Sequence, residues 1–231
     1  GIGISIGGGS NNWADARLMM LLNPGYENGV IAEDGDVIYG YPGSLYWNSE
    51  NGTCYSGVSD ATEPCDFKTK QTGLSIATQE KIEKVVWNLR GSSNLVYSNI
   101  AYNNERITGS VSNTTRATEW EGKVALMYPS DYGYATDLRD TICYQSIGGY
   151  SSSQASYGCR SNDWLYNSSI NQWTLTPRSN DAALVFFVVS QGQISSIRSD
   201  TGYVVRPVFY LESELVIMSG SGTKTDPYVL E

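Results

Sequence analysis

The chain has 231 residues, enough for one elaborated domain with a proper core. Its formal net charge is −9 with no visible Lys/Arg cluster, which argues against a nucleic-acid or anionic-membrane partner. It contains no histidine, so serine triads that depend on one are excluded and the commonest proton-exchanging side chain is missing.

Gly1-Ile2-Gly3-Ile4-Ser5-Ile6-Gly7 reads as a first strand running into a Gly-rich turn. Neither a charged leader with a hydrophobic stretch nor an apolar run of bilayer length is visible, and a start directly in a strand suggests a mature chain or a fragment whose anchor has been removed. A short helix is expected over 11–23, with Ser10 or Asn11 as cap, Pro24-Gly25 as stop, and Trp13, Ala16, Met20 and Leu21 on its core face. From about 26 to 73, turn dipeptides such as Asn28-Gly29, Asp34-Gly35 and Asn51-Gly52 mark a long loop-rich insertion with one hairpin near 37–47.

A second helix is expected over 78–90, because Ile82, Val85, Val86 and Leu89 recur at the spacing of one helical face and Gly91 follows as a stop. A polar connection then leads to a strand over 123–128, ended by Pro129. The closing block begins with Trp173-Thr174-Leu175-Thr176-Pro177-Arg178. In it, Leu184-Val185-Phe186-Phe187-Val188-Val189 and the run 193–197 flank Ser190-Gln191-Gly192 as a β-hairpin. Tyr203-Val204-Val205-Arg206-Pro207-Val208-Phe209-Tyr210-Leu211 closes it, and a tail strand occupies about 214–231. The whole of 1–231 is read as a single domain.

Four cysteines fall into two local pairs, Cys54 with Cys65 and Cys143 with Cys159. Three connectivities are open, and local pairing is the economical one. Each such bond would add about 3 kcal/mol in the chain-entropy model and would imply an oxidising, extracytoplasmic compartment. A zinc site is disfavoured, since there is neither a CxxC nor a histidine. Glu33-Asp34-Gly35-Asp36 is too short for an EF-hand loop and reads as a solvated turn, so no metal or other cofactor is expected.

The closing block resembles the C-terminal half of the C-type-lectin-like fold, an α+β architecture with two helices and a late antiparallel sheet. Formylglycine-generating-enzyme-like domains and surface proteins of gut bacteria use this fold. The resemblance implies a structural role for Arg206 before Pro207. The reactive cysteines of the formylglycine-generating relatives have no counterpart after Trp173, so that active site is not carried over and the chain is not expected to be an enzyme. The Glu-Pro-Asn or Gln-Pro-Asp and Trp-Asn-Asp tripeptides with which sugar-binding C-type lectins hold calcium are absent as well.

Function must therefore be argued from surfaces. Val185 to Val189 is apolar at every position, so either both faces of the hairpin are covered or one meets a partner. The second alternative makes a binding surface of Phe187, Val189, Gln191, Gln193, Ser195 and Ile197, joined by Asn180, Asp181, Arg198, Asp200 and Tyr203. A Tyr-rich loop, Tyr144, Tyr150 and Tyr157, with Trp164 and Tyr166 beside it, is a second candidate. The expectation is an extracellular or cell-surface recognition domain, adhesin-like, for a protein or glycan ligand, and not itself inserted in a membrane. A narrower version resembles retroelement-diversified variable proteins. The alternative is a pilin-like assembly subunit.

Overall fold

The computed structural model describes residues 9–23, 52–53, 64–65, 80–95, 97–111, 116–136, 147, 165–223 and 225–231. The expected first strand, the 37–47 hairpin, the Glu33–Asp36 turn, Cys54, Cys143, Cys159, Trp164 and the Tyr-rich loop lie outside them, as does the side chain of Cys65.

The described chain is a mixed α+β structure with short helices and several antiparallel sheets. A 3-10 turn over Trp13–Asp15 leads into α1, Arg17–Leu22. Trp13 and Ala16 are buried as expected, but the core face continues through Leu18, Met19 and Leu22, while Met20 is half-buried. Asn11 is not a helix cap. Its Nδ2 donates to the carbonyls of Arg178, Asp181 and Leu184 at 3.1, 2.7 and 2.7 Å and ties the N-terminal segment to the closing block.

Two short strands follow, β1 (Gly52–Thr53) and β2 (Pro64–Cys65), paired antiparallel. The helix expected over 78–90 is instead β3, Ile82–Glu83, and β4, Val85–Asn88. Apolar residues at 82, 85, 86 and 89 fit a helical face, but Trp87 and Leu89 point into the core while Val86 is 59% exposed, a period of two. The β-branched and aromatic run Val85-Val86-Trp87 favours the strand. β4 pairs antiparallel with β5, Glu119–Gly122, and the Trp87 indole donates to the Gly122 carbonyl at 3.0 Å. Gly91 bridges to Ser110 and does not stop a helix.

The polar connection contains α2, Ser98–Asn103, which runs on as a π-helical turn over Asn104–Thr108. β6, Val124–Leu126, matches the expected strand. Pro129 does end that run, but it also opens α3, Pro129–Tyr134, as a first-turn proline.

The closing block forms a three-stranded sheet of β7 (Gln172–Pro177), β8 (Leu184–Val188) and β9 (Ile194–Arg198). The expected hairpin is present, with Phe187 opposite Ser195 and Val185 opposite Ile197, and Gly192 at φ 100 closes its turn. β10, Pro207–Leu211, lies between β3 and β6. Arg206 donates to the Leu165 carbonyl at 2.8 Å. β11 (Ile217–Ser219) and β12 (Val229–Leu230) pair in the tail.

β8 separates two hydrophobic clusters. Val185 and Phe187 join the first with Trp13, Leu18, Trp87, Leu126 and Trp173. Phe186 and Val188 join the second with Leu95, Tyr132, Ile147 and Ile194. Both faces of the hairpin are therefore covered, which explains its uninterrupted apolar run.

Candidate functional site

The residues expected to form a binding face on the hairpin do not come together as one. Phe187 is only 6% exposed, and Val189, Ile197 and Tyr203 pack against the same core. The Tyr203 ring lies 4.7 Å from Phe187 and 5.0 Å from Trp173, centroid to centroid. Placing this set outward is corrected: the alternation was right, but its apolar half faces the larger core. Gln193 and Ser195 are half-buried, and Gln191 is exposed at the turn. Asn180, Asp181, Arg198 and Asp200 are exposed at the opposite, open end of the hairpin. There Arg198 pairs with Asp200 at 2.9 Å, and that hydrogen bond holds the Asp200 carboxyl below its ordinary range. Tyr166 is half-buried, its hydroxyl donating to the Ser190 carbonyl at 3.0 Å.

A different cluster combines charge, aromatic surface and irregular backbone. The π-helical turn after α2 widens the spiral, with the Gly109 N–H reaching the Asn104 carbonyl five residues back at 2.9 Å. Such turns recur at functional sites. The turn directs Glu105 inward, where it has 0% exposure, and leaves Arg106 at the boundary with solvent. The Arg106 guanidinium donates to Glu105 at 3.2 Å, to Ser130 Oγ at 2.7 Å and to Asp131 at 2.9 Å. It also lies over the rings of Tyr128, at 4.0 Å, and Tyr102, at 4.7 Å.

α3 positions the other half. The Asp131 carboxylate accepts the Tyr128 N–H at 2.9 Å, which fixes the first turn and aims the other carboxylate oxygen at Arg106. Burial pushes the Glu105 carboxyl up to about 7 against the opposing pull of Ser130 and Arg106. Burial likewise raises the Tyr128 phenol. Burial also disfavours charge on Arg106, but Asp131 and Glu105 outweigh it and hold the guanidinium protonated.

Outside this pair, Tyr102 and Tyr134 are exposed and meet edge to face at 6.5 Å, with Ile100 exposed on the same helix as Tyr102. The result is an aromatic surface with an oriented cation in its floor and a half-exposed carboxylate beside it. It suits stacking against a flat ligand face together with hydrogen bonding. Glu105 has no exposed surface through which a substrate could take its proton. Among the described residues, no group of three or more His, Cys, Asp or Glu is placed to hold a metal ion. Nor is any described helix long and apolar enough to cross a membrane.

Sequence reasoning missed this cluster, since Glu105-Arg106 lies in the stretch read only as a polar connection. No family model matches the chain, and no curated protein or solved structure is detectably similar to it.

Proposed function

We propose that the chain is an extracytoplasmic ligand-recognition domain of adhesin-like type, built on a C-type-lectin-like scaffold and binding a protein or glycan at a cell surface. The observation that carries this reading is the exposed edge-to-face pair Tyr102–Tyr134, with the Tyr102 ring stacked against the Arg106 guanidinium. Aromatic anchors around a fixed charged donor form a rigid recognition surface with little entropy left to lose on binding. A glycan and protein array probed with the domain should give discrete positives that fall at least tenfold when Tyr102 and Tyr134 are both changed to Ala. Positives that persist undiminished in the double variant place recognition elsewhere.

A second reading, a pilin-like assembly subunit, is favoured by one observation. The tail hairpin leaves the large apolar side chains of Val216, Ile217, Met218, Tyr228 and Val229 each more than half exposed, and clusters of exposed apolar side chains mark interaction sites. Sedimentation separates the two readings: a monomer across a wide concentration range supports recognition, and concentration-dependent polymers lost on removing 214–231 support assembly.

A further inference from the structure

In an antiparallel edge strand every second residue turns its backbone N–H and C=O away from the sheet. The bonds that flank β9 fix which residues these are: the Val189 N–H donates to the Gln193 carbonyl at 2.8 Å, and the Ser199 N–H donates to the Ala183 carbonyl at 2.9 Å. In this register Ser195 and Ile197 bond to β8, and Ile194, Ser196 and Arg198 face outward. The Arg198 carbonyl accepts the Thr201 N–H at 3.1 Å, but among the described residues nothing takes the Arg198 N–H or either backbone group of Ile194 and Ser196. The opposite edge of the sheet is not open in this way, because β7 bridges to Val204 and its next residue, Arg178, bridges to Ser92. An open edge is a template for one more strand unless a proline, a bulge or a charge blunts it. β9 contains no proline, pairs with β8 without a register shift, and carries its single charge at its end, while Ser195, Ser196 and Ile197 keep accessible surface.

Arg178 selects the strand that fits. Its half-buried guanidinium donates to Ser196 Oγ at 3.1 Å, to Asn180 Oδ1 at 3.1 Å and to the Ser93 carbonyl at 2.8 Å, and among the described residues no carboxylate pairs with it. A partly desolvated cation held only by neutral acceptors is complementary to a carboxylate. The pairing geometry fixes where that carboxylate belongs. The residue of an added antiparallel strand that exchanges both backbone bonds with Ser196 projects its side chain to the same face, about 5 Å away. Arg178 lies on that face, over the Phe186 ring that stands opposite Ser196. The two neighbours of that residue project to the other face, beside the half-buried Ile197 packed on the larger core, where apolar side chains fit. A second copy of β9 does not supply this pattern: paired about Ser196, it sets two Arg178 guanidiniums on one face with no carboxylate between them.

We propose that β9 is a docking edge for an extended segment of a partner protein, added as a fourth antiparallel strand with an acidic side chain facing Ser196 and Arg178 and apolar side chains on either side of it. Backbone bonds supply the attachment, and Arg178 supplies the selectivity. The proposal is independent of the Tyr102–Tyr134 surface, which shares no residue with it.

A short capped peptide with Glu at its centre, flanked on each side by Val and then Thr, is titrated into nitrogen-15-labelled protein beside the same peptide with Gln at its centre, and hydrogen exchange is followed amide by amide. The Glu peptide should slow exchange at Ile194, Ser196 and Arg198 saturably, with the inward amides of Ser195 and Ile197 unchanged. It should bind about tenfold more tightly than the Gln peptide, and Arg178→Met should remove that preference. Ser196→Pro deletes the central outward donor, a change an edge strand accommodates, and should abolish binding while the Ser195 and Ile197 amides stay protected. No slowing with either peptide up to its solubility limit overturns the proposal, as does equal binding of the two peptides to the unaltered protein, a comparison that needs no variant to fold. Protection of Ile194 and Ser196 that rises with protein concentration in the absence of peptide assigns the edge to a second copy, and overturns it too.

Discussion

Stability falls as the pH rises from about 4.5 to about 7, and the fall disappears in Glu105→Gln. The carboxyl of Glu105 titrates near 7 in the folded chain, against an ordinary value of 4.5, because burial disfavours its charge more than Ser130 and Arg106 support it. Below both values each state holds the proton and the residue contributes no pH dependence. Between them the folded state keeps a proton that the unfolded chain has lost, so raising the pH pulls toward unfolding until both states are ionised above about 7. At about 1.4 kcal/mol for each pH unit, the gap amounts to roughly 3 kcal/mol.

The groups facing Glu105 are Arg106, Asp131, Tyr128 and the Ser130 hydroxyl; Ser130 supports its charge by hydrogen bonding, and the Arg106 guanidinium is the only cation among them. Arg106→Met should therefore cost about 3–5 kcal/mol at pH 8, where a buried carboxylate loses its partner, and less at pH 5. Urea denaturation at a series of pH values measures both effects. A flat wild-type profile across this window contradicts the buried placement of Glu105.

Trp173→Ala should cost about 3–5 kcal/mol, a large share of the roughly 5–15 kcal/mol that holds a typical domain folded. Trp173 is fully buried and packs between Phe187 at 6.2 Å and Tyr203 at 5.0 Å, so it joins β7, β8 and the segment entering β10. Its own N–H donates to the Val204 carbonyl at 3.0 Å, and the Val204 N–H donates to the Asn171 carbonyl at 3.0 Å. Removing the ring opens a cavity where three segments meet, and the backbone bonds alongside limit how far they can collapse into it. The loss should appear as a lower urea midpoint with an unchanged slope. A cost below about 1 kcal/mol would mean that this seam is not tightly packed.

The closing block was the most legible part of the chain because its signals agree: a Gly-containing turn, β-branched and aromatic runs, and strand-length segments. Its apolar run carried the right message about burial, since Phe186 and Phe187 do face two different cores. The sequence could not show which elements would cover the second face, and Phe187, expected on a binding surface there, is interior. At 82–89 the apolar spacing satisfied two periods at once, and pairing with 210–211 and 119–122 decides for strand. α2 was invisible because Ser98-Asn99-Ile100-Ala101-Tyr102-Asn103 is short, polar and poor in strong helix formers. The cluster around Arg106 is assembled from the separate segments 102–106 and 128–131, so no local pattern announces it.

Recognition at the Tyr102–Tyr134 surface is tested most directly by mapping the footprint of an array-selected ligand on the protein by NMR cross-saturation. Signal loss centred on Tyr102, Arg106 and Tyr134 is the expected result. A footprint confined to the tail hairpin at 217–230 or the turn at 190–192, with Tyr102 and Tyr134 untouched, would contradict it.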